Sequence, residues 1–202
     1  MNRVVRCAVA AGVVGLLAVG FTSAAGAART TAVAHVSAPM IAAAGDIACD
    51  PSSHDFHGGN GTSSACRAMA TGDLVLANSA IKGVVALGDT QYQCGGYQAY
   101  LQSFDPAWGR FKSIVHPVPG DNEYVTGGTD CAPGAAGYFR YFGAAAGDSR
   151  GDYAWTLGAW RLVALNAECG HAGGCGATSP QAGFLRSELT KAQCTIVCWH
   201  QP

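Results

Sequence analysis

Three glycine–aspartate pairs each follow a short apolar segment, and a histidine follows a fourth such segment. The pairs are Gly45-Asp46, Gly88-Asp89 and Gly120-Asp121, and the histidine is His200. Ligands of an open α/β sheet bind at the carboxyl ends of its strands, so these side chains are expected to share one edge. Carboxylates and an imidazole gathered there suit metal ions that hold a phosphate ester. One such pair means little, but three in succession predict a metal site.

The segments that carry these residues alternate between strand-like and helix-like patterns. Ser179-Pro180 should start the last helix, 62–64 should cap the first, and Asp105-Pro106 should end the second. Alternation of this kind favours a largely parallel sheet with helices outside it. The predicted strands lie at about 39–45, 83–89, 113–119 and 195–199, the predicted hairpin at 153–157 and 160–166, and the predicted helices at 65–79, 96–104 and 180–192.

The amino terminus has the pattern of a secretory signal peptide. Arg3 and Arg6 precede an apolar stretch over 7–21, and small residues at 25–27 resemble a cleavage site. We therefore predict a signal peptide over 1–27, a flexible segment over 28–38 and a secreted protein with no membrane association after cleavage. A single membrane-anchoring helix and a second cleavage position near Ala34 are the alternatives.

Cysteine usage points to the same compartment. The chain has nine cysteines and Cys7 lies in the predicted signal peptide, so an even number remains, which in an exported chain predicts disulfides. Cys194 and Cys198 flank a strand and should not pair with each other, because they lie up to ~13 Å apart and a disulfide needs about 7 Å. Many pairings stay open. Cys169–Cys175 would close a glycine-rich loop, and Cys49–Cys66 and Cys94–Cys131 would each hold a loop that follows a ligand-bearing strand.

The composition argues against other classes of function. The formal net charge is −1 and 12% of the residues are charged, without a basic stripe, so nucleic acid is not expected as a partner. No Gly-x-Ser-x-Gly sequence occurs, so a serine hydrolase would lack its nucleophile. A zinc cluster is disfavoured because no C-x-x-C pair occurs.

Four motifs follow one another along the chain: Gly45-Asp46, Gly88-Asp89-x-x-Tyr92, Gly120-Asp121-Asn122-Glu123 and Trp199-His200. Taken together, they resemble those of calcineurin-like metallophosphoesterases, and the Gly-Asp-x-x-Tyr form resembles the purple acid phosphatase branch. The resemblance covers residues 40–202. It implies an α/β fold over 39–202, a four-layer α/β/β/α sandwich. It also implies hydrolysis of a small phosphate ester by a hydroxide that bridges two metal ions (Fe, Mn or Zn).

The same resemblance implies a role for each of five residues. Asp46 and Tyr92 would bind one metal ion, and Asp89 would bridge both. Asp121 and His200 would bind the other. A phenol with a pKa of about 10 ionises readily only beside a strong Lewis acid, so Tyr92 points to Fe(III).

The departures from the family pattern lead to a second hypothesis. Asn122 stands where the family has a histidine that contacts the phosphate and helps the leaving group, a form of help worth about 10²–10⁴-fold. Gln201 follows His200 where relatives often carry another histidine, and no Gly-His-x-His sequence follows, so the fold is expected to be incomplete at its carboxyl end. The alternative is a truncated, non-catalytic member that binds metal or phosphate. His54 and His57 are candidate substitute ligands, although a solvated loop is favoured for both.

Overall fold

The structure is a computed structural model that describes residues 39–201. The predicted signal peptide over 1–27 and the predicted flexible segment over 28–38 lie outside the described residues, as does Pro202. Within the described range the chain is mixed α/β, with six strands in two three-stranded sheets and helices between them. The general α/β class is therefore confirmed.

The first sheet carries two of the Gly-Asp pairs directly after its strands. It consists of β1 (Met40–Ala44), β2 (Ile81–Leu87) and β3 (Val115–Val118), all parallel, with β2 in the centre. Parallel neighbours require a crossover, and α1 (Ala68–Leu76) lies in the one between β1 and β2. The central residues of β2 are buried, as expected for an apolar run in a parallel sheet.

The start of α1 differs from the prediction. The helix begins after Arg67, with no side-chain cap, and the expected cap at 62–64 is wrong. The Thr62 hydroxyl instead accepts hydrogen bonds from the backbone N–H groups of Ser64 and Ala65. Thr62 therefore stabilises its own turn, which competes with the helix for the same side chain.

The second predicted helix is also longer than expected. Helical backbone runs through α2 (Tyr97–Ala99), a π-helical turn (Tyr100–Phe104) and α3 (Asp105–Ala107). The prediction that Asp105-Pro106 ends the helix is wrong: Pro106 follows the π-helical turn, and helical backbone continues past it to the end of α3. A further helix, α4 (Ala136–Phe142), follows in the segment that precedes the second sheet.

The second sheet contains the predicted hairpin. The strands β4 (Tyr153–Leu157) and β5 (Trp160–Ala164) are antiparallel, and β6 (Cys194–Cys198) pairs with β5 in parallel. Between β5 and β6 lies α5 (Pro180–Glu188), where the Ser179 hydroxyl accepts a hydrogen bond from the Ala182 N–H at 3.2 Å, as predicted. The strands thus divide into two sheets, where a single largely parallel sheet was predicted from the alternation.

Two apolar clusters hold the elements together. The larger one packs α1, α4 and the 97–107 helical stretch against the first sheet, with Tyr100 and Phe104 fully buried. The smaller one contains Val85 and Val118 from the first sheet and Ala164 from the second. The two sheets therefore contact each other, and the Tyr153 hydroxyl donates to the Pro117 carbonyl across the same contact at 2.8 Å.

Disulfides hold three loops, and their pairing agrees with the sequence-based candidates. Cys194 and Cys198 are not joined to each other, as predicted. Three disulfides are consistent with export to an oxidising compartment. No helix in the range 39–201 has the length and apolar character needed to cross a membrane. The disulfides are Cys49–Cys66, Cys94–Cys131 and Cys169–Cys175.

Candidate metal centre

The ends of β1 and β2 stay paired beyond the strands, and this brings two of the aspartates together. The Asp46 N–H donates to the Gly88 carbonyl at 3.1 Å, and the Ile47 N–H donates to the Asp89 carbonyl at 3.0 Å. Asp46 and Asp89 both have positive φ, 55° and 47°. The turn at each strand end is therefore made partly by the aspartate itself, whose side chain tolerates this region better than most.

The glycines before the aspartates leave room for neighbours. A Cβ at Gly88, which also has a φ of 75°, would lie 2.6 Å from the Cβ of His200. A Cβ at Gly120 would overlap the carboxylate of Asp89. Gly120 is therefore needed so that the Asp89 carboxylate can approach the chain closely.

Asp89, Asp121 and His200 form a group that could hold a metal ion. One ligand atom from each lies within 4.8 Å of the other two. The His200 Nε2 atom is 3.4 Å from Asp89 Oδ1 and 3.3 Å from Asp121 Oδ1. Only 7% of the His200 side chain and 4% of the Asp89 side chain are exposed, whereas the Asp121 side chain is half exposed. The group is therefore open to solvent on the Asp121 side.

The orientation of His200 suits a metal ligand. Its Nδ1 atom lies 2.7 Å from the carbonyl oxygen of Leu87, which can only accept a hydrogen bond. Nδ1 therefore carries a proton, and Nε2, which faces the two carboxylates, is the nitrogen left to bind a metal ion. A backbone carbonyl that fixes the tautomer in this way is typical of metal-binding histidines.

Asp46 and Tyr92 lie on the other side of Asp89. The Tyr92 hydroxyl is 2.5 Å from Asp46 Oδ1 and 2.9 Å from Asp89 Oδ2, so its proton is shared between two carboxylates. The two oxygens of Asp89 thus face different groups: Oδ1 faces His200 and Oδ2 faces Tyr92. A carboxylate in this position can bridge two cations.

The pKa values at the centre respond to burial and to the surrounding carboxylates. Burial, followed by the hydrogen bonds to Asp46 and Asp89, raises the pKa of Tyr92 far above its usual value. Burial lowers the pKa of His200, but the Leu87 carbonyl and the nearby carboxylates raise it by more, so the net shift is upward. The carboxylates contribute to both upward shifts, and a bound cation would offset their negative charge.

Two amide side chains hold the carboxylates in place. The Asn122 Nδ2 atom donates to Asp89 Oδ2 at 2.6 Å, and the Asn122 backbone N–H donates to Asp89 Oδ1 at 3.1 Å. The Gln201 Nε2 atom donates to Asp121 Oδ1 at 2.6 Å. Asn122, where the family resemblance implied a missing histidine, is therefore occupied in orienting Asp89.

Glu123 supports the centre, and sequence analysis assigned it no role. It is fully buried, and its Oε2 atom accepts hydrogen bonds from the backbone N–H groups of Asp89 at 3.0 Å and Gly120 at 2.7 Å. Its Oε1 atom accepts from the N–H and hydroxyl of Thr90 and from the Gln91 N–H. Glu123 thereby fixes the ends of β2 and β3 relative to each other. The only sequence signal was its place at the end of the Gly-Asp-Asn-Glu string.

The remaining histidine candidates lie elsewhere. The His54 side chain is 96% exposed in the loop after β1, beside Asp55, in agreement with a solvated loop. His57 is exposed and lies edge-on to His54. His116 is half-buried in β3 and stacks on Trp155 at 4.1 Å, so it has a packing role. Neither loop histidine belongs to the Asp89 group.

Two cavities border the centre. A small one, of about 260 Å³, is lined by Asp46 and Tyr92 together with Arg67 and Trp108. A larger apolar one, of about 800 Å³, lies between α5 and β6 and meets the centre at Gln201. The small cavity is thus the one walled by candidate ligands themselves.

In comparisons with known proteins, no family model matches this chain and no curated protein does so either. What the structure establishes at the centre is a group of two aspartates and a histidine able to hold a metal ion, with a third aspartate and a tyrosine beside it.

Proposed function

We propose that the chain is a secreted, metal-dependent phosphoesterase with a metallophosphoesterase-like fold. The two contacting sheets would be the inner layers of an α/β/β/α sandwich, with the helices outside. The observation that carries the proposal is the convergence of Asp89, Asp121 and His200, with ligand atoms within 4.8 Å, after strands of both sheets.

The donor set supports two metal ions, with Asp89 between them. Asp46 and Tyr92 would hold one, and Asp121 and His200 the other, because the two Asp89 oxygens face these two groups separately. Carboxylates, a phenol and an imidazole favour Fe, Mn or Zn over metals that prefer thiolates. Metal ions bound there would neutralise phosphate charge and lower the pKa of a water molecule that attacks phosphorus.

The chain's own residues determine which esters would react well. Asn122 orients Asp89 and has no proton to give, so the leaving group must depart without an acid from that position. Esters of acidic alcohols, such as phenols, are therefore expected to be better substrates than alkyl phosphates. The alternative, a non-catalytic domain that binds metal or phosphate, is favoured by the same residue.

The test compares metal binding and hydrolysis in matched variants. Asp89→Asn removes one charge at the centre, whereas Asp73→Asn removes one from an exposed ion pair with Arg110. We expect the wild type and Asp73→Asn to bind Mn²⁺, measured by calorimetry, and to hydrolyse p-nitrophenyl phosphate in a chelator-sensitive way. Asp89→Asn should lose both.

The outcomes separate the two functions. Mn²⁺ binding without hydrolysis of any aryl phosphate would favour the non-catalytic alternative. Equal Mn²⁺ binding by the wild type and Asp89→Asn would refute the assignment of the metal centre and, with it, the proposed function.

A further inference from the structure

We infer that the small cavity beside Asp46 and Tyr92 binds a second anionic group, carried by the leaving group of the phosphate ester, and that Arg67 is its ligand. The inference rests on the proposed function and names a substrate class for it: small phosphate esters whose alcohol also bears a carboxylate or another phosphate. Arg67 would then be the residue that determines specificity.

The cavity adjoins the place where the phosphate would be bound. Asp46 and Tyr92 form part of its wall, and the Tyr92 hydroxyl also contacts Asp89. A group in the cavity therefore lies next to the metal group and within the length of a small alcohol. Its volume of about 260 Å³ is just below the range of roughly 300–1,000 Å³ typical of small-molecule sites, which limits the alcohol to a small one.

Arg67 lines this cavity and is free to bind a ligand. Its guanidinium makes no hydrogen bond or ion pair with any residue of the described range. By contrast, every other arginine in that range donates to a carboxylate or carbonyl or stacks on an aromatic ring: Arg110, Arg140, Arg150, Arg161 and Arg186.

The backbone of Arg67 is held firmly on both sides. The residue before it, Cys66, is joined to Cys49, which follows Asp46 by three positions. The residue after it begins α1 and is buried. A disulfide therefore ties the backbone beside Arg67 to the same loop that carries a candidate metal ligand, which limits how far the two can separate.

The other walls suit an organic group with an anionic end. Trp108 is 2% exposed, and its ring N–H already donates to the Thr71 hydroxyl at 3.0 Å, so the ring contributes an apolar surface. A guanidinium pairs with a carboxylate or phosphate through two parallel hydrogen bonds. A ligand with a ring or short chain against Trp108 and an anionic group at Arg67 would match both the apolar wall and the guanidinium.

The experiment measures binding of two phosphonates that cannot be hydrolysed. Benzylphosphonate and 4-carboxybenzylphosphonate differ only in the carboxylate, and each is titrated into the Mn²⁺-loaded full chain by calorimetry. We expect the wild type to bind the carboxylated compound about 10- to 100-fold more tightly. Arg67→Gln should remove this preference and leave the benzylphosphonate affinity unchanged.

Two further variants control for folding and for charge. Arg67→Lys should keep part of the preference, because a lysine keeps the charge without the paired hydrogen bonds. Arg186→Gln, in α5, should keep all of it. Unfolding curves check that each variant is folded.

Each result decides between the claims. If the ratio of the two phosphonate affinities is the same in the wild type and in Arg67→Gln, the role of Arg67 is refuted. Phosphonate binding would still support the proposed function. If neither phosphonate binds although Mn²⁺ does, the proposed function fails, and the inference fails with it.

Discussion

Replacing Glu123 by glutamine should destabilise the chain by about 2–6 kcal/mol, although the two side chains have the same shape. Each Glu123 oxygen accepts two backbone N–H groups: those of Asp89 and Gly120 on Oε2, and those of Thr90 and Gln91 on Oε1. Whichever way the glutamine amide lies, its NH₂ faces two buried donors. Each donor left without an acceptor costs about 1–3 kcal/mol.

The assay is urea unfolding at pH 7 with the disulfides intact. Glu168→Gln is the matched control, because the half-buried Glu168 carboxylate accepts no hydrogen bond in the described range, and it should change stability by at most about 0.5 kcal/mol. Mn²⁺ affinity should also fall by about 10-fold or more in Glu123→Gln, since the loop that positions Asp89 loses its anchor. A folded Glu123→Gln variant within about 1 kcal/mol of the wild type would refute the reasoning.

Three other expectations can be checked with the same protein. Replacing both cysteines of a disulfide by serine should lower the free energy of unfolding in urea, and by more for a longer loop. We expect losses of about 4 kcal/mol for Cys94–Cys131, about 3 kcal/mol for Cys49–Cys66 and about 2 kcal/mol for Cys169–Cys175. Burial raises the pKa of Glu188, but Lys191 and Arg161 lower it by more. The stability that Glu188 contributes should therefore be present above about pH 4.3 and be lost as the pH falls through its lower folded pKa. Glu188→Gln should lower the urea midpoint at pH 7 and have a much smaller effect at pH 3. An Fe(III)-loaded chain should show a visible charge-transfer band that Tyr92→Phe abolishes; a colourless wild type would argue that Tyr92 binds no iron.

Local sequence signals located the strands of the first sheet because each of those apolar runs is followed by a Gly-Asp pair. The hairpin and the start of α5 were also predicted from local signals: Gly158 and Ser179-Pro180 act on their own backbone. The start of α1 was not predictable, since the Cys49–Cys66 disulfide and the Thr62 turn decide where the helix begins. The disulfide is a tertiary contact, which the local sequence pattern around the helix does not reveal.

The candidate site shows the same division. Asp46, Asp89, Asp121 and His200 were named from strand ends and Tyr92 from the family resemblance. The structure brings all five together. Glu123 was not assigned a role because its donors include Asp89, 34 residues earlier in the chain. The role of this glutamate can be inferred only once β2 and β3 are known to end side by side.

The arrangement also explains how unfavourable local features persist at the centre. Asp46 and Asp89 have left-handed backbone, at a cost of order 1–3 kcal/mol each, and their carboxylates approach each other through one phenol. The pairing of Asp46 with Gly88 and the hydrogen bonds from Asp89 and Gly120 to Glu123 hold these turns against that cost. Strain and like charge are thus concentrated where the strands end, while the buried strands and Glu123 stabilise them. This distribution suits the proposed metal centre, because strained turns and facing carboxylates persist only where the surrounding structure holds them.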